Sequence, residues 1–143
     1  MLTLHDFSVG RASFFDTLGG PDTIAKIYIR LFPHDVEVPI LAQVDTGAAW
    51  SILERDIAEG LGLFDESGPP VSLSTRRGTV NGRLVRVPMT ILADEGDSLR
   101  VEATLIVSQD GEQGNFIGYC GFLERIRFAV DPQTNDFYFG PLE

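Results

Sequence analysis

Alternation with a period of two runs through most of this chain, and it limits the fold more than any other feature. Leu99, Val101, Ala103, Leu105 and Val107 alternate with Arg100, Glu102 and Thr104. Val85, Val87, Met89 and Ile91 share one face of an earlier run, and Ile27, Ile29 and Leu31 lie opposite Lys26, Tyr28 and Arg30. Successive side chains of a strand point to opposite sides of a sheet, so runs like these bury one face and wet the other. The 15 glycines and 8 prolines are scattered between the runs as punctuation and do not gather into a linker. The pattern predicts a mostly β fold, and no repeat of about 20 to 50 residues suggests a solenoid.

In chain order, residues 1–22 read as an N-terminal extension and 23–143 as one domain. Within the extension, residues 2–9 suggest a strand and 19–22 (GGPD) a turn or joint. Residues 24–32 and the run Val36, Val38, Ile40 form a hairpin around Pro33-His34-Asp35, and its second strand leads to Asp45. Ile57, Ala58 and Leu61 fall at helical spacing, with Gly60 and Gly62 to stop a short surface helix over residues 54–63. Residues 71–93 make a long hairpin that turns either within 76–79 (RRGT) or at Asn81-Gly82. Asn-Gly is the stronger turn signal on its own. Residues 116–118 are a short apolar strand, 119–125 one or two helical turns, and 126–131 with 137–140 a last hairpin.

Composition excludes several functions. A net charge of −10 argues against a nucleic-acid surface, which needs a basic patch. No run of about 18 apolar residues spans a membrane, and the N-terminus lacks the basic start and apolar core of a signal peptide. Cys120 is the lone cysteine, and His5 and His34 are the only imidazoles, so no metal site and no cofactor is expected. The cytoplasm is the expected compartment. The glycines of 111–121 do not match a phosphate loop. Cys120 reads as a passive thiol, Arg76-Arg77 as a solvated hairpin tip, and Phe128, Phe137, Tyr138 and Phe139 as core or interface packing.

One stretch does not fit a purely structural reading. In residues 41–53, LAQVDTGAAWSIL, an apolar strand runs into Asp45-Thr46-Gly47, and Ile52-Leu53 follow after small residues. A lone Asp-Thr-Gly is more often a plain turn, because Asp bonds nearby amides and Gly takes positive φ. A surface turn does not need apolar flanks on both sides, however, and aspartate is almost never fully buried without a partner. Two carboxylates about 3 Å apart divide acid and base roles, as they do in aspartic proteases. One takes a proton from the attacking water and the other donates to the forming oxyanion. This chain has a single Asp-Thr-Gly, so the second carboxylate has to come from a second copy in a two-fold homodimer.

With those residues in view, the segment resembles the active-site stretch of retropepsin-like aspartic proteases. FIGYCGFL, residues 116–123, is similar to that family's second element, a strand, a glycine and a short helix. Continued as FIGYCGFLERIRFAVD, it is closer still to bacterial single-domain members. The resemblance spans residues 24–140 and is specific in these two segments. It implies an all-β fold built as a small closed or partly closed barrel with one or two short helices. It also implies a peptide or protein substrate. By position it makes Asp45 catalytic, Thr46 an interlocking hydroxyl, and Gly47 and Ala48 cleft-lining backbone. Ala49, Trp50 and Phe116 would border the substrate, and Arg77, Gly78 and Thr79 would sit in a flap-like hairpin. Tyr119 stands where retroviral members carry arginine, Trp50 replaces a polar residue, and the C-terminal hairpin runs beyond the retroviral end. The alternatives are an inactive peptide-binding or dimerisation module on the same fold, and an ordinary β-domain with a chance turn.

Overall fold

The computed structural model describes residues 8–14, 27–33, 36, 38–75, 78–110 and 114–142. The barrel strands are β2 (Ile27–Pro33), β3 (Ile40–Val44), β4 (Ser51–Ile52), β6 (Gly78–Ile91), β8 (Leu99–Val107) and β9 (Phe116–Ile117). They run in the order β2-β3-β9-β4-β8-β6, and the pairing of Leu31 with Ile91 closes β6 back onto β2. Strand β5 (Pro70–Thr75) extends the sheet along the first half of β6. A second sheet of four strands lies beside the barrel, in the order β10-β11-β1-β7. Its members are β1 (Gly10–Ser13), β7 (Glu95–Gly96), β10 (Ile126–Asp131) and β11 (Asp136–Pro141). The one α-helix among the described residues, α1 (Arg55–Gly60), follows β4, and a single 3₁₀ turn (Leu123–Arg125) precedes β10.

The alternation sets what is buried. Val85, Val87, Met89 and Ile91 of β6 face Val101, Ala103 and Leu105 of β8 and Ile29 and Leu31 of β2 in one core. Phe137 and Phe139 of the last hairpin are fully enclosed in the same core, so this aromatic pair packs inside the chain. Burying a phenylalanine side chain contributes about 1.5–3 kcal/mol, enough to hold the second sheet against the barrel.

Thr75 pairs with Gly78 at the end of the long hairpin. Asn81 and Gly82, the stronger turn signal, lie within β6 opposite Ser72 and Val71. Their composition serves the crossing with β8 instead. A Cβ at Gly82 would run into the Val107 carbonyl. Asn81 accepts a bond from the Ser72 hydroxyl at 2.6 Å and donates its N–H to Asp110 at 2.9 Å.

The strand expected over residues 2–9 falls almost wholly outside the described residues; the strand that forms is Gly10–Ser13, between β11 and β7. Asp94 ties it to the barrel, accepting from the Ser13 N–H at 2.7 Å and from Arg30 of β2 at 2.6 Å. On the other side, Arg11 reaches Asp136 of β11 at 2.6 Å. The Thr134 hydroxyl, and then Arg11, hold the Asp136 carboxyl below its ordinary 3.8 against partial desolvation. A lowered folded-state value means that the unfolded chain binds the proton first as pH falls. The stabilisation is therefore complete above 3.8 and is lost as pH drops through the folded value. Asp136→Asn should melt below the wild type near neutral pH, with the gap in Tm closing as a pH series is carried down past 3.8 and through the lowered folded value.

Candidate active site

The site is built where two loops cross. Strands β3 and β9 run parallel, pairing Gln43 with Phe116 and Val44 with Ile117, while β4 lies on the far side of β9. The loop leaving β3 carries Asp45 to Trp50, and the loop leaving β9 carries Gly118 to Gly121. Asp45 gives its N–H to the Ile117 carbonyl at 2.9 Å. Further on, Tyr119 and Cys120 donate to the carbonyls of Ala48 and Ala49 at 2.9 and 2.8 Å. Trp50 and Cys120 form an isolated parallel bridge.

Glycine at 118 is what allows the crossing. A Cβ there would lie 2.5 Å from the Trp50 carbonyl carbon and 2.9 Å from the Ala48 oxygen. The Gly118 N–H, enclosed by this approach, donates to the buried Ser51 hydroxyl at 2.9 Å. Each loop thus fixes the other through main-chain groups, and the geometry does not depend on long side chains.

Asp45 is half-buried and Thr46 and Gly47 are exposed. One Asp45 oxygen, Oδ1, accepts the Gly47 N–H at 3.0 Å. The Ala48 N–H bonds the Asp45 carbonyl at 3.1 Å, completing a tight turn. That is the local bonding a plain turn would also show. What distinguishes the turn is its place, since it is clamped to β9 by its first residue and to the next loop by its last. The carboxylate stands at the surface of a rigid crossing, with exposed Thr46, Gly47 and Ala49 around it.

The other expected residues divide into two groups. Trp50 and Phe116, both half-buried, pack on a small apolar cluster of Ile52, Val80 and Ile106. Val71, Leu73 and Leu84 of the long hairpin pack on the same cluster. The structure therefore brings Trp50, Phe116 and the body of the hairpin together, apart from the main core. Gly78 and Thr79 lie exposed at the hairpin tip. Arg77 lies outside the described residues. Tyr119, where arginine stands in retroviral members, has a half-exposed ring, and its carbonyl accepts the Glu124 N–H at 3.0 Å, so main-chain bonding braces the turn.

Sequence reasoning missed three supports. Ser51 is buried under Gly118. Asn115 accepts the Glu54 N–H at 2.9 Å and donates to the Leu41 carbonyl at 3.3 Å, joining the segments on either side of the Asp45 loop. Arg125 donates to the Glu102 carbonyl and to the Thr104 hydroxyl, holding the 3₁₀ turn on β8. A serine two places before an apolar Leu53 and an asparagine at the end of a polar loop carry no signal of their own in a single sequence.

No protein-family model matches this chain, and no curated protein matches it by sequence. A solved structure does match: a retropepsin-like aspartic protease from Rickettsia conorii. The match covers 93% of this chain and 94% of that one, with a TM-score of 0.55 and 20% identity. The chain thus has a retropepsin-like fold, a closed barrel of six strands with one short α-helix among the described residues.

The crossing makes a stability test possible without any substrate. Gly118→Ala should cost about 1–3 kcal/mol by overpacking, with the excess depending on how far Trp50 shifts. Ser51→Ala should cost about 1–3 kcal/mol by leaving the Gly118 amide buried without an acceptor. Urea unfolding checks both, as a lower midpoint at unchanged slope.

Proposed function

We propose that this chain is an aspartic endopeptidase that acts as a homodimer, with one Asp45 from each copy. One observation carries the reading: the Asp45 turn is locked by four main-chain bonds and a buried glycine, yet its carboxylate and Thr46-Gly47 remain accessible at the surface. A turn with no further task would not need that degree of fixation. A single chain supplies half of the acid–base pair, and the accessible edge of the turn is where a second copy would supply the other half. The likeness in fold to a retropepsin-like protease supports the same reading.

In the dimer, one Asp45 carboxylate takes a proton from water as it attacks the scissile carbonyl. The other gives a proton to the oxygen of the tetrahedral intermediate, then the leaving amine is protonated as the C–N bond breaks. Thr46, whose hydroxyl has no partner among the described residues, would bond across to the opposite loop. The β5–β6 hairpin, with Gly78 and Thr79 at its tip, acts as the flap over an extended peptide. Trp50 and Phe116 form an apolar wall for substrate side chains, with Ala48 and Ala49 offering the backbone beside it.

Asp45→Asn keeps the side-chain shape and the bond to Gly47 but removes the ionisable group. It should leave the circular dichroism spectrum and Tm within about 2 °C of the wild type, while cleavage of a peptide library falls by about 1000-fold or more. Cleavage that survives in purified Asp45→Asn protein would overturn the mechanism.

A further inference from the structure

The ladder between β6 and β8 ends at the pairing of Arg83 with Val107, and its register, carried on, would set Asn81 opposite Gln109. Both main-chain groups of Asn81 face that way. Leu84 bonds toward the β5 side, through its N–H to the Pro69 carbonyl at 3.0 Å, and bonding direction alternates residue by residue. Arg83 and Asn81 therefore bond toward β8. Against β5, Asn81 and Ser72 form a non-bonded pair, and their side chains meet instead, at 2.6 Å. Strand β8 stops at Val107, so its main chain does not supply the rung at Asn81. Two side chains supply it, one from each neighbour of Gln109.

The Ser108 hydroxyl donates to the Asn81 carbonyl at 2.5 Å, and the Asp110 carboxylate accepts the Asn81 N–H at 2.9 Å. Asp110 also gives its own N–H to the Ser108 oxygen at 3.0 Å, so the two side chains are held as a unit. Ser108 is buried, while Asp110 is exposed. Such a rung differs from a main-chain one. It parts without unpairing β6 from β5 or from β8, and water takes the place of the exposed carboxylate. Toward its tip the hairpin rests on the smaller apolar cluster, where Val80 is fully enclosed.

We infer that Ser108 and Asp110 form a latch on the stem of the hairpin, and that its release lets the hairpin lift from Trp50 and Phe116 to admit and discharge peptide. The use of the lift rests on the protease reading above; the latch itself stands on the bonds at Asn81. Both are positioning residues, acting on substrate through the hairpin. Their place suits the task, because the connection that begins with them after β8 ends at Phe116 of β9 and then Gly118. A bond to a carboxylate is among the stronger hydrogen bonds, yet an exposed one breaks and reforms readily, as a gate requires. A latch closed in both the free and the peptide-bound chain opposes entry and exit alike. It sets rates and leaves affinity alone.

Thiol labelling of the full chain measures the lift without any substrate. In a Cys120→Ser background, Val80→Cys puts a thiol beneath the hairpin, and Val87→Cys puts one in the main core as a control. Asp110→Ala should speed labelling at position 80 by about tenfold, the loss of one bond to a charged group, and leave position 87 unchanged. Asp110→Asn, which keeps an acceptor oxygen, should recover most of the protection. Labelling at position 80 that ignores Asp110→Ala, or that rises equally at position 87, overturns the latch. The gate is tested in Asp45→Asn protein with a peptide that the wild type cleaves from a library. There Asp110→Ala should raise the association and dissociation rates by about tenfold each, with Kd within about twofold. Faster dissociation alone, with a weaker Kd, overturns the gate. Faster labelling at position 80 with no peptide cleaved by the wild type upholds the latch and overturns the protease reading. Cleavage alongside unchanged labelling upholds the protease reading and overturns the latch.

Discussion

The close passage of Gly118 beneath Trp50 is the constraint on which the rest of the molecule depends. Two loops can cross at main-chain distance only where one of them has no side chain, and here a Cβ would meet Trp50 backbone at 2.5 Å. The crossing lets β9 sit between β3 and β4 with parallel and antiparallel neighbours at once. Without it, β3 and β4 would have no strand between them and the barrel would open. The same contact sets Asp45, whose N–H is bonded to the residue just before Gly118. Barrel closure and the placement of the carboxylate are therefore one problem with one solution, and damage to the crossing reaches both.

Apolar packing divides in a way that follows from this arrangement. The main core fills the barrel and reaches across to Phe137 and Phe139. Ile52, Val80 and Ile106 form a separate, smaller cluster between the Asp45 loop and the long hairpin. Local stability scales with buried apolar contact, so a hairpin resting on a few half-covered side chains opens at lower cost than the barrel strands. Rigid main-chain bonding holds the carboxylate, and side-chain packing on the smaller cluster holds the long hairpin against Trp50 and Phe116.

Much of this was legible in the sequence because strand alternation and burial obey the same period. Val85 to Ile91 and Val101 to Val107 announced both the strands and the face that each buries. Asp45-Thr46-Gly47 and FIGYCGFL marked the two segments that the fold brings together, since both combine an apolar strand end with a residue chosen for backbone geometry. Where the sequence carried less, the reasons are physical. Asn81-Gly82 has the composition of a tight turn, but inside this strand the close approach of β8 excludes a side chain at Gly82 and the Asn81 side chain takes the Ser72 hydroxyl. Gly10–Ser13 is too short and mixed to show a period, and its pairing depends on partners over 80 residues away. Ser51, Asn115 and Arg125 act through single long-range hydrogen bonds, and such bonds leave no local pattern.

Charge adds a last condition on any reading that needs two copies. With 21 acidic side chains against 11 basic ones, two molecules repel as they approach. At physiological salt this repulsion fades beyond about 8 Å, so it is the contact itself that decides whether they hold. A contact rich in carboxylates would fail, and one made of apolar strand alone would invite unspecific edge pairing.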